Sequence, residues 1–190
     1  MGSIYEQNLG GYELTPVVEV PMVTPIPIPQ FRYKSGGATE GKKTIQKFNE
    51  QLPKTIPAIL ILYEEAMKEL GVKSPYWADL KLRFDVEASN LHGYAGLLFE
   101  TSDPLRFKLK IDYRGMVDPA IRSNIVHEVG AHVGESLLGK DISERATERK
   151  SIDTLHRIGD EEAANFTEKY SGYIGKQRVA SPRNQYPMYV

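Results

Sequence analysis

The stretch on which the reading of this chain turns is Ile125-Val126-His127-Glu128-Val129-Gly130-Ala131-His132. It lies inside a run that opens with Asp118-Pro119, an N-cap residue followed by proline at the first helical position. Ile121, Ile125, Val129, Val133 and Leu137 then recur at steps of four, and Gly139 closes the run. A single helix therefore carries His127 and His132, with Glu128 directly after the first. The spacing resists joint action, because positions five apart diverge by about 140° around a regular α-helix. Both imidazoles can face one metal ion only if the helix widens locally into a π-bulge, a rare feature enriched at functional sites. Gly130-Ala131, small and permissive, marks where that bulge has to fall. The plainer alternative is that one histidine is packed and the other wet, as for most isolated histidines.

Working outward, the segment before this helix reads as sheet. Leu80 to Ala88 alternates apolar residues on even positions with charged ones on odd positions, and Phe107 to Tyr113 repeats the pattern. Tyr94 to Glu100 lies between them and reads as a more buried strand. Together they predict an antiparallel meander with one wet face. A helix is expected upstream, from about Thr55 to Leu70, stopped by Gly71. Downstream, further helices are expected from Asp141 to Gly159 and from Asp160 toward Tyr173. The fold class is therefore α+β, a small antiparallel sheet followed by a helical half that carries the site helix. Residues 1 to 42 differ in character: five prolines fall between Pro16 and Pro29, and a Gly/Ser/Lys segment follows. They read as an extended arm and linker ahead of a body at 43–178, with a second arm at 179–190.

Composition narrows the function classes. The chain has 190 residues, 24 basic and 25 acidic, with a net charge of -1 and 41% hydrophobic residues. That is the balance of a folded domain, not of a disordered chain. With no cysteine, a disulfide scaffold, a thiolate metal site and a cysteine nucleophile are excluded. The lack of basic excess argues against a nucleic-acid partner. No apolar run approaches about 18 residues, so no membrane partner is expected. The start has no secretion-signal layout, and a cytoplasmic location, or a virion-associated one if phage-encoded, is expected.

His127-Glu-Val-Gly-Ala-His132 resembles the H-E-x-x-x-H motif of the dipeptidyl peptidase III family and of the tubulin tyrosine carboxypeptidases and their bacterial relatives. The longer string, with Gly134 and Leu137-Leu138-Gly139, is similar to the metallopeptidase domains of phage polyvalent proteins. The resemblance covers Asp118 to Tyr173 and implies a zincin-type fold, a Zn2+ cofactor and hydrolysis of peptide bonds. It implies His127 and His132 as zinc ligands and Glu128 as general base. It also implies a third ligand from a later helix within E-x-x-A-[D/N], which Glu161-Glu-Ala-Ala-Asn165 fits, with Asn165 orienting a ligand histidine. Glu168 ends a related pattern.

Simple geometry favours a different third ligand. If the chain folds back at Gly139-Lys140, a rise of about 1.5 Å per residue brings Glu148 level with the metal. Glu144 reads instead as the far end of a capping box, Asp141-Ile-Ser-Glu144. A donor for the developing oxyanion is sought among His156, Tyr113, Tyr170 and Tyr173, and His92 reads as a surface residue. The strand Phe107 to Tyr113 is the expected partner for an extended peptide substrate. The competing reading is a structural or assembly protein carrying a zincin-like fold. Its proline-rich arm would then bind neighbouring subunits or a second copy of the chain.

Overall fold

The computed structural model describes residues 29–34, 39–70, 81–91, 95–112, 116–140 and 142–171. The prolines from Pro16 to Pro27, the arm at 179–190, His92, Tyr94, Tyr113, Asp141 and Tyr173 lie outside these residues.

The architecture is mixed α+β, a four-stranded sheet with helices packed on one face. In chain order the elements are β1 (Gln30–Lys34), α1 (Thr39–Leu70), β2 (Arg83–Ser89), β3 (Gly96–Glu100), β4 (Arg106–Asp112), α2 (Asp118–Ile125), a π-helical segment (Val126–His132), α3 (Val133–Leu137), α4 (Glu144–Arg157) and α5 (Glu161–Tyr170). The strand order is β1-β2-β4-β3.

This sheet is not the antiparallel meander that the alternation suggests. β1 and β2 are parallel, β2 and β4 are parallel, and only β3 pairs antiparallel with β4. The chain passes over β4's position, lays β3 on the outside and returns, so β4 slots between β2 and β3. Alternation records that one face is wet, not which strand is the neighbour. Phe84 and Val86 on β2 and Phe107, Leu109 and Ile111 on β4 are buried as the even–odd pattern requires. β3 is correspondingly not the more buried strand but an edge, its burial fading toward Phe99, which is 42% exposed.

The helical part also starts earlier than expected. α1 runs 32 residues from Thr39 through Pro53 and Pro57, so the boundary expected near residue 43 lies inside it, and Gln30–Lys34 forms a sheet strand. A long buried stripe, including Ile45, Phe48, Thr55, Ile59, Leu62, Tyr63 and Ala66, holds the helix together across the prolines. Thr55 Oγ1 donates to the Leu52 carbonyl at 2.8 Å within the proline-bearing stretch. One core unites this stripe with the sheet and with Ile121, Ile125, Val129 and Val133. A second, smaller one joins α1 to the π segment, α4 and α5 through Leu62, Val126, Ala131, Ile152, Leu155 and Ala163. Gly139 and Gly159 end their helices at φ 61° and 78°, with Lys140 N–H returning to Glu135 and Asp160 N–H to Leu155.

Arg122 is the polar bolt of this layer. It is buried, donates to both oxygens of Asp160 at 2.6 and 3.1 Å, to Glu162 at 2.7 Å and to Gln51 at 3.0 Å. Asp160 in turn caps α5 by accepting from Ala163 N–H at 3.2 Å. Among the described residues no helix is long and apolar enough to cross a membrane.

Candidate metal centre

The bulge required by the histidine spacing is present. Val126–His132 is π-helical while the residues on either side are α-helical. In a regular helix Val133 N–H would return to the Val129 carbonyl; here it donates to Gly130. The Val129 carbonyl instead accepts the fully buried Tyr63 hydroxyl at 2.7 Å. Burial pushes the Tyr63 phenol well above its ordinary range, so it stays a donor. Gly130 serves through its missing side chain more than through backbone freedom. A Cβ there would stand 2.5 Å from Leu62 Cδ1, so the widened turn presses directly on α1.

The wider turn brings both imidazoles to one side. His127 Nε2 and His132 Nε2 are 3.1 Å apart, and Glu144 Oε2 lies 3.3 Å from the first and 3.4 Å from the second. Ligand atoms about 2.0–2.1 Å from a tetrahedral centre stand about 3.3–3.4 Å from each other, so this triangle has the size that such an ion needs. Among the described residues these three form the group able to hold a metal ion. The two imidazoles draw the Glu144 carboxyl below its ordinary range, the contact with His127 contributing most.

Glu161 is not part of this group. It is 60% exposed on its side chain and sits 2.9 Å from His156 Nδ1, while Glu168 approaches the other ring nitrogen at 3.7 Å. Asn165 is exposed on α5. Glu148 lines the same cleft as the histidines but is absent from the triangle. The level residue lies one turn earlier than Glu148, because α4 begins beside the cluster and its first residue, Glu144, already reaches it. Ser143, not Asp141, is the N-cap residue of α4, and its side chain makes no capping bond.

Around the triangle, Glu135 Oε2 lies 3.2 Å from His132 Nδ1 and its other oxygen accepts from Thr147 at 2.6 Å. This buried carboxylate therefore fixes the ring and its tautomer. Burial lowers the His132 pKa, but the hydrogen bond to Glu135 and the charges of Glu128, Glu144 and Glu135 outweigh it and leave it raised. His127 Nδ1 is buried with no partner among the described residues. Glu128 is 7% exposed. Its burial raises the carboxyl's pKa against the pull of both histidines and a hydrogen bond from the Leu98 backbone.

The cleft over these groups has a volume of about 350 Å³ and is walled by β3 on one side and α4 on the other. Leu98 N–H points away from β4 to reach Glu128, so the backbone groups of Gly96 and Glu100 share that outward direction. The open strand edge facing the site is therefore β3. The strand expected to meet a peptide, Phe107 to Tyr113, has its described part, β4, enclosed between β2 and β3.

Of the oxyanion donors considered, His156 and Tyr170 do not line the cleft, and Tyr113 and Tyr173 lie outside the described residues. Asn124 does line it. It stands three residues before His127, 6% exposed, with its carboxamide where a Cβ on Gly96 would be and with no hydrogen-bond partner among the described residues.

No protein-family model, curated protein or solved structure matches the chain.

Proposed function

We propose that the chain is a metal-dependent peptidase of zincin-like fold, cleaving a peptide or protein segment bound along β3. The observation that carries the proposal is the π turn. It brings two histidines five residues apart onto a single carboxylate of α4, with an acid of raised pKa between them in sequence and an open strand edge alongside. A helix has no structural need of that turn, and π segments of this kind are enriched at functional sites.

Zinc suits the donor set of two imidazoles and a carboxylate, without thiolate. When bound, such an ion supplies Lewis acidity toward a carbonyl and lowers the pKa of a water to about 7. His127, His132 and Glu144 would hold it, and Glu135 would keep His132 in the metal-facing tautomer. Glu128 would take the proton of the attacking water and return it to the leaving amine. Its raised pKa matches both tasks. Outward-pointing groups of Gly96, Leu98 and Glu100 would pair with an extended substrate, and Asn124 would donate to the carbonyl oxygen on which charge develops.

A purely structural metal site has a closed fourth position. The cleft here opens over the triangle, and Glu128 has no ligand duty, both of which favour the enzyme. The test is elemental analysis and a peptide-cleavage screen on wild type, His132→Ala and Glu128→Gln. About one zinc per chain in wild type and Glu128→Gln but not in His132→Ala, with cleavage in wild type alone, supports the proposal. Absence of bound metal after zinc is offered refutes it.

A further inference from the structure

The cleft is more acidic than a metal site requires. Glu100, Glu128, Glu135, Glu144 and Glu148 line it against Lys140, and Lys140 is ion-paired with Glu69. Four of these acids have partners within the site. Glu144 meets both imidazoles, Glu135 braces His132, Glu128 is held by Leu98, and Glu100 accepts from the Ser136 hydroxyl. Glu148 differs. It is 6% exposed, its Oε2 accepts from the Ser171 hydroxyl, and Oε1 has no hydrogen-bond partner among the described residues. It follows Glu144 by one turn of α4, so both project from the same helix face into the cleft. Burial raises its carboxyl above the ordinary range, a sign that the surroundings leave its charge poorly neutralised. A divalent ion at the histidine pair would sit against Glu144 and leave Glu148 as the deep carboxylate beyond it. Oε1 is not sealed within the protein, so a cation entering the cleft can reach it.

We infer that Glu148 is a specificity-determining residue, and that the cleft takes peptides carrying a Lys ammonium or Arg guanidinium beside the cleaved bond, received by Glu148. The inference rests on the peptidase reading and adds the substrate class to it. The distance between successive turns of α4 is within reach of a four-carbon lysine stem, so one peptide can present its carbonyl at the triangle and its cation at Glu148.

The test compares kcat/KM for N-acetylated peptides that differ at one position, Lys against norleucine against Glu, on either side of the cleaved bond. Zinc-loaded wild type and Glu148→Gln are assayed in parallel. Gln is nearly isosteric, and its amide oxygen still accepts from Ser171. Wild type should prefer Lys to norleucine by about 10- to 100-fold, and the ratio should fall close to one in Glu148→Gln. A second measurement is independent of hydrolysis. Chemical-shift titration of the metal-free protein with Nα-acetyl-lysine methylamide, against the norleucine compound, should show binding that is lost in Glu148→Gln. Wild type indifferent to Lys in both measurements overturns the inference. So does a Lys preference that survives unchanged in Glu148→Gln, since that assigns the cation to another group. Binding of the lysine compound at Glu148 without cleavage of any peptide would instead overturn the peptidase reading and leave the cation site standing.

Discussion

Tyr63→Phe removes a single oxygen from the core and asks whether the π turn depends on it. Tyr63 is fully buried and its hydroxyl donates to the Val129 carbonyl at 2.7 Å. Without it that carbonyl loses its tyrosine donor in a dry environment, a change that costs about 1–3 kcal/mol. For a chain of this size the loss lowers Tm by about 2–4 °C for each kcal/mol. The segment can recover by relaxing into regular α-helix, where Val133 N–H returns to Val129, but His127 and His132 then diverge and the triangle with Glu144 opens. The hydroxyl therefore weights the metal-competent form. Zinc affinity measured by chelator competition should fall with it, by as much as about 5- to 150-fold if the whole bond energy biases that equilibrium. Urea denaturation with and without zinc separates the two effects. Ile45→Val, a core change remote from the turn that costs about 0.5–1.5 kcal/mol, should lower stability and leave zinc affinity unchanged. If Tyr63→Phe behaves in the same way, the tyrosine supports the fold but not the bulge. If it changes neither quantity, the reasoning is wrong.

Other substitutions divide the site by role. Glu144→Ala should weaken zinc binding by more than the 10- to 100-fold expected for loss of a supporting partner such as Glu135 in Glu135→Gln. Glu161→Ala should leave it unchanged, all read by the same chelator competition. In metal-free protein, Glu128→Gln should be more stable than wild type at neutral pH. The folded-state pKa of Glu128 is raised, so its contribution is fully present below the ordinary carboxyl range and lost as pH rises through the folded value. The advantage of the variant should therefore vanish in acid and grow toward neutrality, and an advantage constant with pH would contradict the assignment. Asn124→Ala should lower kcat by about 100- to 1000-fold with little change in KM, the signature of a donor used in the transition state.

Much of this site was legible in the sequence because the objection to it was geometric. Two histidines five apart fail on a regular helix, and only a π turn rescues them. The flanking apolar residues carry the same message, since Ile121, Ile125, Val129 and Val133 recur at strict steps of four, a period between those of α- and π-helices. The strand faces were legible too, because side chains alternate whatever the neighbour. What the alternation lacks is pairing, and so the parallel contact of β2 with β4 and the edge position of β3 could not be read. The start of α1 was hidden because the Gly/Ser/Lys segment read as a linker and the helix was expected only from about Thr55, whereas a buried stripe carries it through Pro53 and Pro57 over 32 residues. Glu144 was ranked lower for a cap pattern opening at Asp141, whereas α4 takes Ser143 as its N-cap. Glu135, three residues beyond His132, and Asn124, three before His127, stand at helical spacing from the ligands and could have been found by that rule. Tyr63 carries no such signal, because its partner lies 66 residues away.

The π segment can also be regarded as a regular helix holding one residue too many. Removing Gly130 from the written sequence leaves His127-Glu-Val-Ala-His, in which the histidines share a face with no bulge at all. The extra residue is thus the difference between a site that exists whenever the helix forms and one that exists only while the helix is held open. In this chain α1 does the holding, with Leu62 pressed against Gly130 and Tyr63 bonded to Val129. A helix laid down some seventy residues earlier becomes a condition for the proposed metal binding, and whatever moves α1 acts on the histidine pair.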